Sequence, residues 1–213
     1  MRIVLLTGFE PFDQDLVNSS WEAVRQLDGM QLGDDVRIVA RRLPCAFATA
    51  GECLAQMIAE LQPAMVIATG LGPGRSDISI ERVAINVNDA RIPDNLGEQP
   101  IDTAVVVDGP AAYFTTLPIK AMVKAVREAG IAASVSQTAG TFVCNQVFYL
   151  LQHALTGSGV RSGFIHVPGL PEQAVTSGQP SMALATLVDG LRIAVMAAWG
   201  TKVDVAQTGG QVS

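Results

Sequence analysis

The residues best suited to chemistry lie in the run Gln137-Thr138-Ala139-Gly140-Thr141-Phe142-Val143-Cys144-Asn145-Gln146, where a strand gives way through small residues to a helical pattern. That placement puts Cys144 at a helix N-terminus. Unpaired N–H groups and the positive end of the helix dipole there favour a thiolate, lowering the thiol pKa from about 8.5 toward neutrality. The same N–H groups suit an oxyanion. The alternative is a small buried hydrophobe, the usual state of an intracellular cysteine. Cys45, beside Pro44, and Cys53, on an apolar helical face, have no comparable setting and read as structural. A thiol nucleophile needs a base, and the chain has only two histidines. His153 lies on the helix that starts at Cys144, roughly 13 Å along by helical rise, and cannot reach the sulfur. His166 sits near the end of the strand Phe164–Val167, where a parallel sheet would deliver it to the edge that holds the Cys144 loop. Alone it would read as a core histidine with one hydrogen bond; the pairing with Cys144 makes it the candidate base. A buried carboxylate would then hold the imidazole in the right tautomer. Glu81, a charge inside the apolar run Ile80-Glu81-Arg82-Val83-Ala84-Ile85, is costly without a partner; His166 fills that need, or a local cation such as Arg82.

The elements that must position these residues alternate. Ile3–Thr7, Val36–Ala40, Met65–Ala68, Ser134–Ser136 and Phe164–Val167 read as strands buried on both faces. Helices fall between them: one capped by Ser19 or Ser20 and running to about Leu27, and one over Ala46–Leu61 stopped by Pro63. Others cover Ile119–Ala129 with Gly130 as a left-handed cap, about Cys144 to Leu155, and about Ser181 to Trp199. This order predicts an α/β fold, a three-layer α/β/α sandwich on a mostly parallel, open twisted sheet, whose ligands bind at the C-terminal strand ends. Ile78–Val87 and Ala104–Val107, separated by the turn-rich Arg-Ile-Pro-Asp-Asn-Leu-Gly segment, read as an antiparallel excursion.

Composition narrows the function classes. A chain of 213 residues with 49% apolar and 16% charged residues folds as one domain, 1–213, with a polar tail from about residue 200 expected to be poorly ordered at its end. A net charge of −6 with no basic stripe argues against nucleic acid. The apolar stretch Met182–Trp199 is broken by Asp189, Gly190 and Arg192, which argues against a membrane span. The N-terminal apolar run is short and reads as a first strand, not a signal peptide. Three cysteines without CxxC or Cys/His spacing give no metal site and suggest reduced thiols in the cytoplasm.

Several blocks together resemble the pyrrolidone-carboxylate peptidase (pyroglutamyl peptidase I) family: Thr-Gly-Phe-Glu-Pro-Phe at 7–12, Glu-Arg-Val-Ala-Ile-Asn at 81–86, Arg-Ile-Pro-Asp-Asn at 91–95, Ala-Tyr-Phe-Thr-Thr-Leu-Pro-Ile-Lys at 112–120, Gly-Thr-Phe-Val-Cys-Asn at 140–145 and Phe-Ile-His-Val-Pro at 164–168. The resemblance covers nearly the whole chain to about Trp199. It implies a cysteine peptidase that cleaves the amide bond after an N-terminal 5-oxoproline, without metal or cofactor, as a homo-oligomer, commonly a tetramer. It also implies Glu81, Cys144 and His166 as the catalytic residues. Arg91 and the Cys144 N–H would share the oxyanion, and Phe9, Phe12, Asn18, Leu71, Ile92, Phe142 and Val143 would form the pocket. A flat neutral lactam suits an apolar slot, with Phe9, Phe12 and Phe142 able to sandwich the ring, although each Phe could be ordinary core. Arg91 could equally be a surface ion-pair partner. Asn18 matches an asparagine that orders the loop beside the pocket.

The chain departs from the family pattern at Asp13-Gln14, where Gly-Gly is usual, at Asn18-Ser19-Ser20, where Asn-Pro-Ser is usual, and at Leu71, where many members have Gln. These changes fall on the pocket rim. The competing readings are a catalytically inactive small-molecule binder on the same fold and a nucleotide-binding module at Gly70-Leu71-Gly72-Pro73-Gly74. The latter lacks the G-x-G-x-x-G spacing, and Asp77–Ile85 after it reads as extended and not as a helix.

Overall fold

The computed structural model describes residues 1–209. In chain order the elements are β1 (Arg2–Phe9), α1 (Ser19–Val24), β2 (Val36–Leu43), α2 (Phe47–Leu61), β3 (Met65–Leu71), β4 (Ile78–Glu81), β5 (Val83–Ile85), β6 (Ala112–Phe114), α3 (Ile119–Glu128), β7 (Ala133–Ser136), α4 (Val143–Leu155), β8 (Arg161–Val167), α5 (Pro171–Ser177) and α6 (Leu184–Gly200). Six strands form one open sheet in the order β2-β1-β3-β8-β4-β7, and β5 and β6 make a separate two-stranded ribbon. The alternation of side chains along β1 builds the three layers. Val4 and Leu6 pack with α1, α3 and α6, while Leu5 and Phe9 face the opposite way onto α2 and α4.

The sheet is mostly parallel, as expected, with one antiparallel join. β2, β1, β3 and β8 are mutually parallel. β4 runs antiparallel to β8, and β7 runs parallel to β4, so the last two strands point the other way. His166 and the Cys144 loop are therefore not neighbours at the C-terminal ends of parallel strands, as the sequence argument had it. The β7–α4 loop has to double back to reach His166.

The expected antiparallel excursion also changes form. Ile78–Glu81 belongs to the main sheet, and the partner of Val83–Ile85 is Ala112–Phe114, not Ala104–Val107. Residues 104–107 stay irregular because Asn86 binds the loop with its amide, donating to the Val106 and Gly109 carbonyls and accepting from the Val106 N–H. The cap of α1 is Asn18, not Ser19 or Ser20: its Oδ1 accepts from the Ser20 N–H at 3.1 Å. α6 starts at Leu184, later than Ser181, because Ser181 bridges Gly169 and the Met182 N–H donates to the Gly169 carbonyl. The short α5 has no counterpart among the sequence expectations.

Part of the tail is held. The Asp204 carboxylate accepts from the Lys120 and Ala121 N–H groups at the start of α3, and Arg82 donates to the Gly209 carbonyl. The tail end beyond residue 209, where little order was expected, lies outside the described residues. No helix among the described residues is long and apolar enough to cross a membrane.

Candidate active site

Cys144 is the second residue of α4, so its N–H has no intrahelical acceptor. Its sulfur lies against β3 at Gly70: a Cβ there would sit 2.7 Å from Cys144 Sγ, closer than any side chain allows. Gly70 is also the register partner of His166 on the adjoining strand β8. One missing side chain thus makes room for the thiol beside the imidazole. Gly72 does similar work, since a Cβ there would stand 2.7 Å from Arg75 Cγ and 3.3 Å from His166 Cβ. Gly70 and Gly72 are thereby accounted for by packing around these side chains, Gly74 by its left-handed φ of 81°, and the segment after them forms strands β4 and β5, not the helix a nucleotide site would need.

His166 is 5% exposed, and its Nδ1 lies 2.8 Å from Glu81 Oε1. Glu81 is fully buried on β4, where the antiparallel register sets Ser79 opposite His166 and so carries Glu81 to the same face. Arg82, the local partner considered from sequence, points away to Gly209. The cation that reaches Glu81 is Arg75, whose Nη2 donates to Oε1 at 3.1 Å and to the Thr138 carbonyl at 2.9 Å. With Nδ1 oriented toward a carboxylate, Nε2 of His166 is left to accept or deliver a proton.

The electrostatics of the thiol differ from the sequence expectation. Burial raises the Cys144 pKa well above the ordinary thiol value, and the Cys45 and Glu81 charges add to it. Being packed inside the site outweighs the helix terminus, whose effect is confined to one turn and is worth about 1 kcal/mol. Burial thus favours the neutral thiol over the thiolate, so a base that takes its proton as it reacts is needed.

Cys144 and His166 open into one cavity of about 460 Å³, whose wall also includes Phe9, Phe12, Asn18, Leu71, Ile92 and Phe142 from the expected pocket, and Arg91. Val143 was expected there, but its side chain is fully buried in the α2–α4 core and is not part of the wall. Phe12 and Phe142 sit with ring centroids 5.1 Å apart, and Phe47 braces Phe142 edge-on at 5.1 Å. Phe9 packs mainly inward, toward Phe164. Asn18 clamps the β1–α1 loop, donating to the Glu10 carbonyl at 3.0 Å while capping α1. Arg91 is exposed on the rim and enters no ion pair among the described residues.

Sequence reasoning passed over several wall residues. Asp15, Asp89, Arg75 and Cys45 all line the cavity. Cys45 comes from the loop before α2, where Glu10 Oε1 accepts both its N–H and the Asn95 amide, tying three loops together. Only the position of Arg75 between a glycine-rich turn and a buried-charge strand carried a sequence signal. His153 lies away from this wall, in the last turn of α4, 2.8 Å from the Tyr113 hydroxyl. Among the described residues no group of three or more His, Cys, Asp or Glu side chains is arranged to hold a metal ion.

A family model described as pyroglutamyl peptidase matches residues 2–201. A pyrrolidone-carboxylate peptidase of Pseudomonas fluorescens is 84% identical over 213 residues, which is the whole of both chains. One from Cupriavidus taiwanensis is 62% identical over 216 residues, again covering both chains completely. Among solved structures, pyroglutamyl peptidase I of Bacillus amyloliquefaciens superposes with a TM-score of 0.94 at 43% identity, over 97% of this chain and 99% of that one. The pyrrolidone carboxyl peptidase of Thermococcus litoralis gives a TM-score of 0.89 at 39% identity, over 94% of each chain. Similarity that runs from β1 to the end of α6, in sequence and in fold, leaves one conclusion: the chain belongs to the pyroglutamyl peptidase family.

Proposed function

We propose that this enzyme, a cysteine peptidase, hydrolyses the amide bond after an N-terminal pyroglutamyl residue, with Cys144 as nucleophile, His166 as general base and acid, and Glu81 orienting the imidazole. The observation that carries the reading is the sulfur seated on Gly70 beside a histidine whose Nδ1 is bonded to a buried glutamate, at the floor of a phenylalanine-lined cavity.

His166 Nε2 takes the thiol proton as Cys144 Sγ attacks the pyroglutamyl carbonyl, and the N–H of Cys144, with Arg91 at the rim, stabilises the oxyanion. The C–N bond then breaks, and the protonated imidazole supplies a proton to the departing amine. Water, deprotonated by the same nitrogen, hydrolyses the thioester to free pyroglutamate and thiol. Every step is acid–base or nucleophilic, so no cofactor enters. Phe12 and Phe142, packed against each other, offer the neutral lactam an apolar part of the wall, while the charged side chains Asp15, Asp89, Arg75 and Arg91 line other parts of it.

We place the enzyme in the cytoplasm, acting as one folded unit and as a homotetramer; the exposed apolar side chains Leu96, Ile101, Val107 and Phe114 give surface for subunit contact. Light scattering coupled to size exclusion reads the subunit number directly. The activity is tested by fluorophore release from a pyroglutamyl amide, with a prolyl amide as control. The wild type should release fluorophore from the first only and Cys144→Ser from neither. Equal rates for the two proteins would remove Cys144 from the mechanism.

A further inference from the structure

Glu81 presents an electrostatic problem that the three proposed catalytic residues do not solve. It is fully buried, its Oε2 has no hydrogen-bond partner among the described residues, and its Oε1 accepts from His166 Nδ1. A neutral imidazole cannot balance a buried carboxylate's charge, yet the mechanism needs that imidazole neutral before attack. Arg75 supplies the balance. Its Nη2 donates to the same Oε1 that receives His166, and the same nitrogen holds the Thr138 carbonyl, in the loop that doubles back toward Cys144.

We propose that Arg75 is a positioning residue for the reaction, acting through Glu81: it balances the buried carboxylate and aims it at His166, and it pins the Cys144 loop to the same point. The inference rests on the proposed roles of Cys144, His166 and Glu81. The local architecture serves this contact, since only a glycine at position 72 leaves space for the Arg75 stem beside His166. Among the described residues no other cation reaches Glu81. Arg82 is engaged with Gly209 on the far side, and Arg91 makes no bond to Glu81 or His166. Of the remaining charged or titratable groups nearby, Asp15, Asp89 and the thiols of Cys45 and Cys144 line the cavity, and Asp77 accepts from Ser79; none bonds the Glu81–His166 pair.

The sign of the effect follows. Removing a positive charge from beside Oε1 makes the Glu81–His166 pair hold an added proton more firmly, whichever of the two carries it. The form able to take the thiol proton then appears only at higher pH. Two profiles read this independently: kcat and KM for a pyroglutamyl amide between pH 5 and 9, and the rate of iodoacetamide alkylation at Cys144, followed at that peptide by mass spectrometry.

Arg75→Gln should lower kcat by about 10- to 100-fold with KM changed by less than about threefold, and should move the acid limb of both profiles up by about one pH unit. Arg75→Lys, which keeps the charge, should return the limb to within a few tenths of a unit of wild type. Acid limbs of Arg75→Gln that coincide with wild type would overturn the proposal, as would an Arg75→Lys limb displaced as far as that of the glutamine variant. If Arg75→Gln does not fold, Glu81→Gln/Arg75→Gln decides: a folded double variant supports the role through Glu81, and an unfolded one refutes it. Absence of pyroglutamyl cleavage by wild type would instead strike the proposed substrate, leaving the alkylation profiles to judge Arg75 alone.

Discussion

Two thiols face one cavity, and they should behave very differently. Burial, with Glu10 and Asp94 nearby, pushes the Cys45 pKa up to about 12. Burial also raises that of Cys144, with Cys45 and Glu81 contributing. Resting ionisation therefore does not separate them. Their neighbours do: Cys45 sits in a loop whose nearest charges are carboxylates, whereas Cys144 has a helix N-terminus behind it and a Glu81-bonded imidazole on the adjoining strand. A reactive cysteine in this setting is defined by a base able to take its proton on demand, not by a thiolate waiting at neutral pH.

The contrast breaks hardest at the sulfur itself. Cys144→Ser should lose about 10³-fold or more in kcat/KM, while Cys45→Ser should stay within about tenfold of wild type, both measured with the pyroglutamyl amide. Next comes His166→Ala, which should cost about 10² to 10⁴ in kcat and also drop the alkylation rate of Cys144 toward that of Cys45. A Cys144 that stays as reactive without the imidazole would dissolve the distinction.

A smaller effect appears in alkali. Cys45 has its folded pKa raised, so its contribution to stability is present below the ordinary thiol range and disappears as pH climbs toward about 12. Denaturant titrations should show the wild type losing stability over that interval, and Cys45→Ala losing less. The smallest effect concerns the loop between Phe12 and Asp15, two residues of the cavity wall. Asp13 holds φ at 55°, a left-handed conformation that glycine adopts without strain, at a place where the family usually has Gly-Gly. Asp13→Gly should change stability by less than about 1 kcal/mol, because the glycine's relief of strain is offset by its greater freedom when unfolded. A thermal melt measures it.

Much of this site was legible in the sequence, because it rests on local signals. A cysteine after a small-residue loop, a histidine near the end of an apolar strand and a charge in an apolar run mark themselves. The reasons joining them were less accessible. The loop before Cys144 reaches His166 by doubling back from a strand that runs against β8, and nothing in the hydrophobic pattern encodes strand direction. Arg75 went unnoticed because its partners Glu81 and Thr138 lie across the fold, and Arg82, next in the chain, offered a simpler partner. Val143 was drawn into the pocket by its neighbours in sequence, but a helix turns successive residues about 100° apart, and this one faces the core.

The join between β8 and β4 rests on two residue pairs, Ser79 with His166 and Ile80 with Ile165, from segments 85 residues apart in the case of Glu81 and His166. Pairings this distant close late when a chain refolds, after nearby helices and hairpins have formed. A slip of one residue there would turn Glu81 and His166 onto opposite faces. Recovery of peptidase turnover after dilution from denaturant should consequently lag the return of far-ultraviolet circular dichroism, making turnover a clock for the final closure of the sheet.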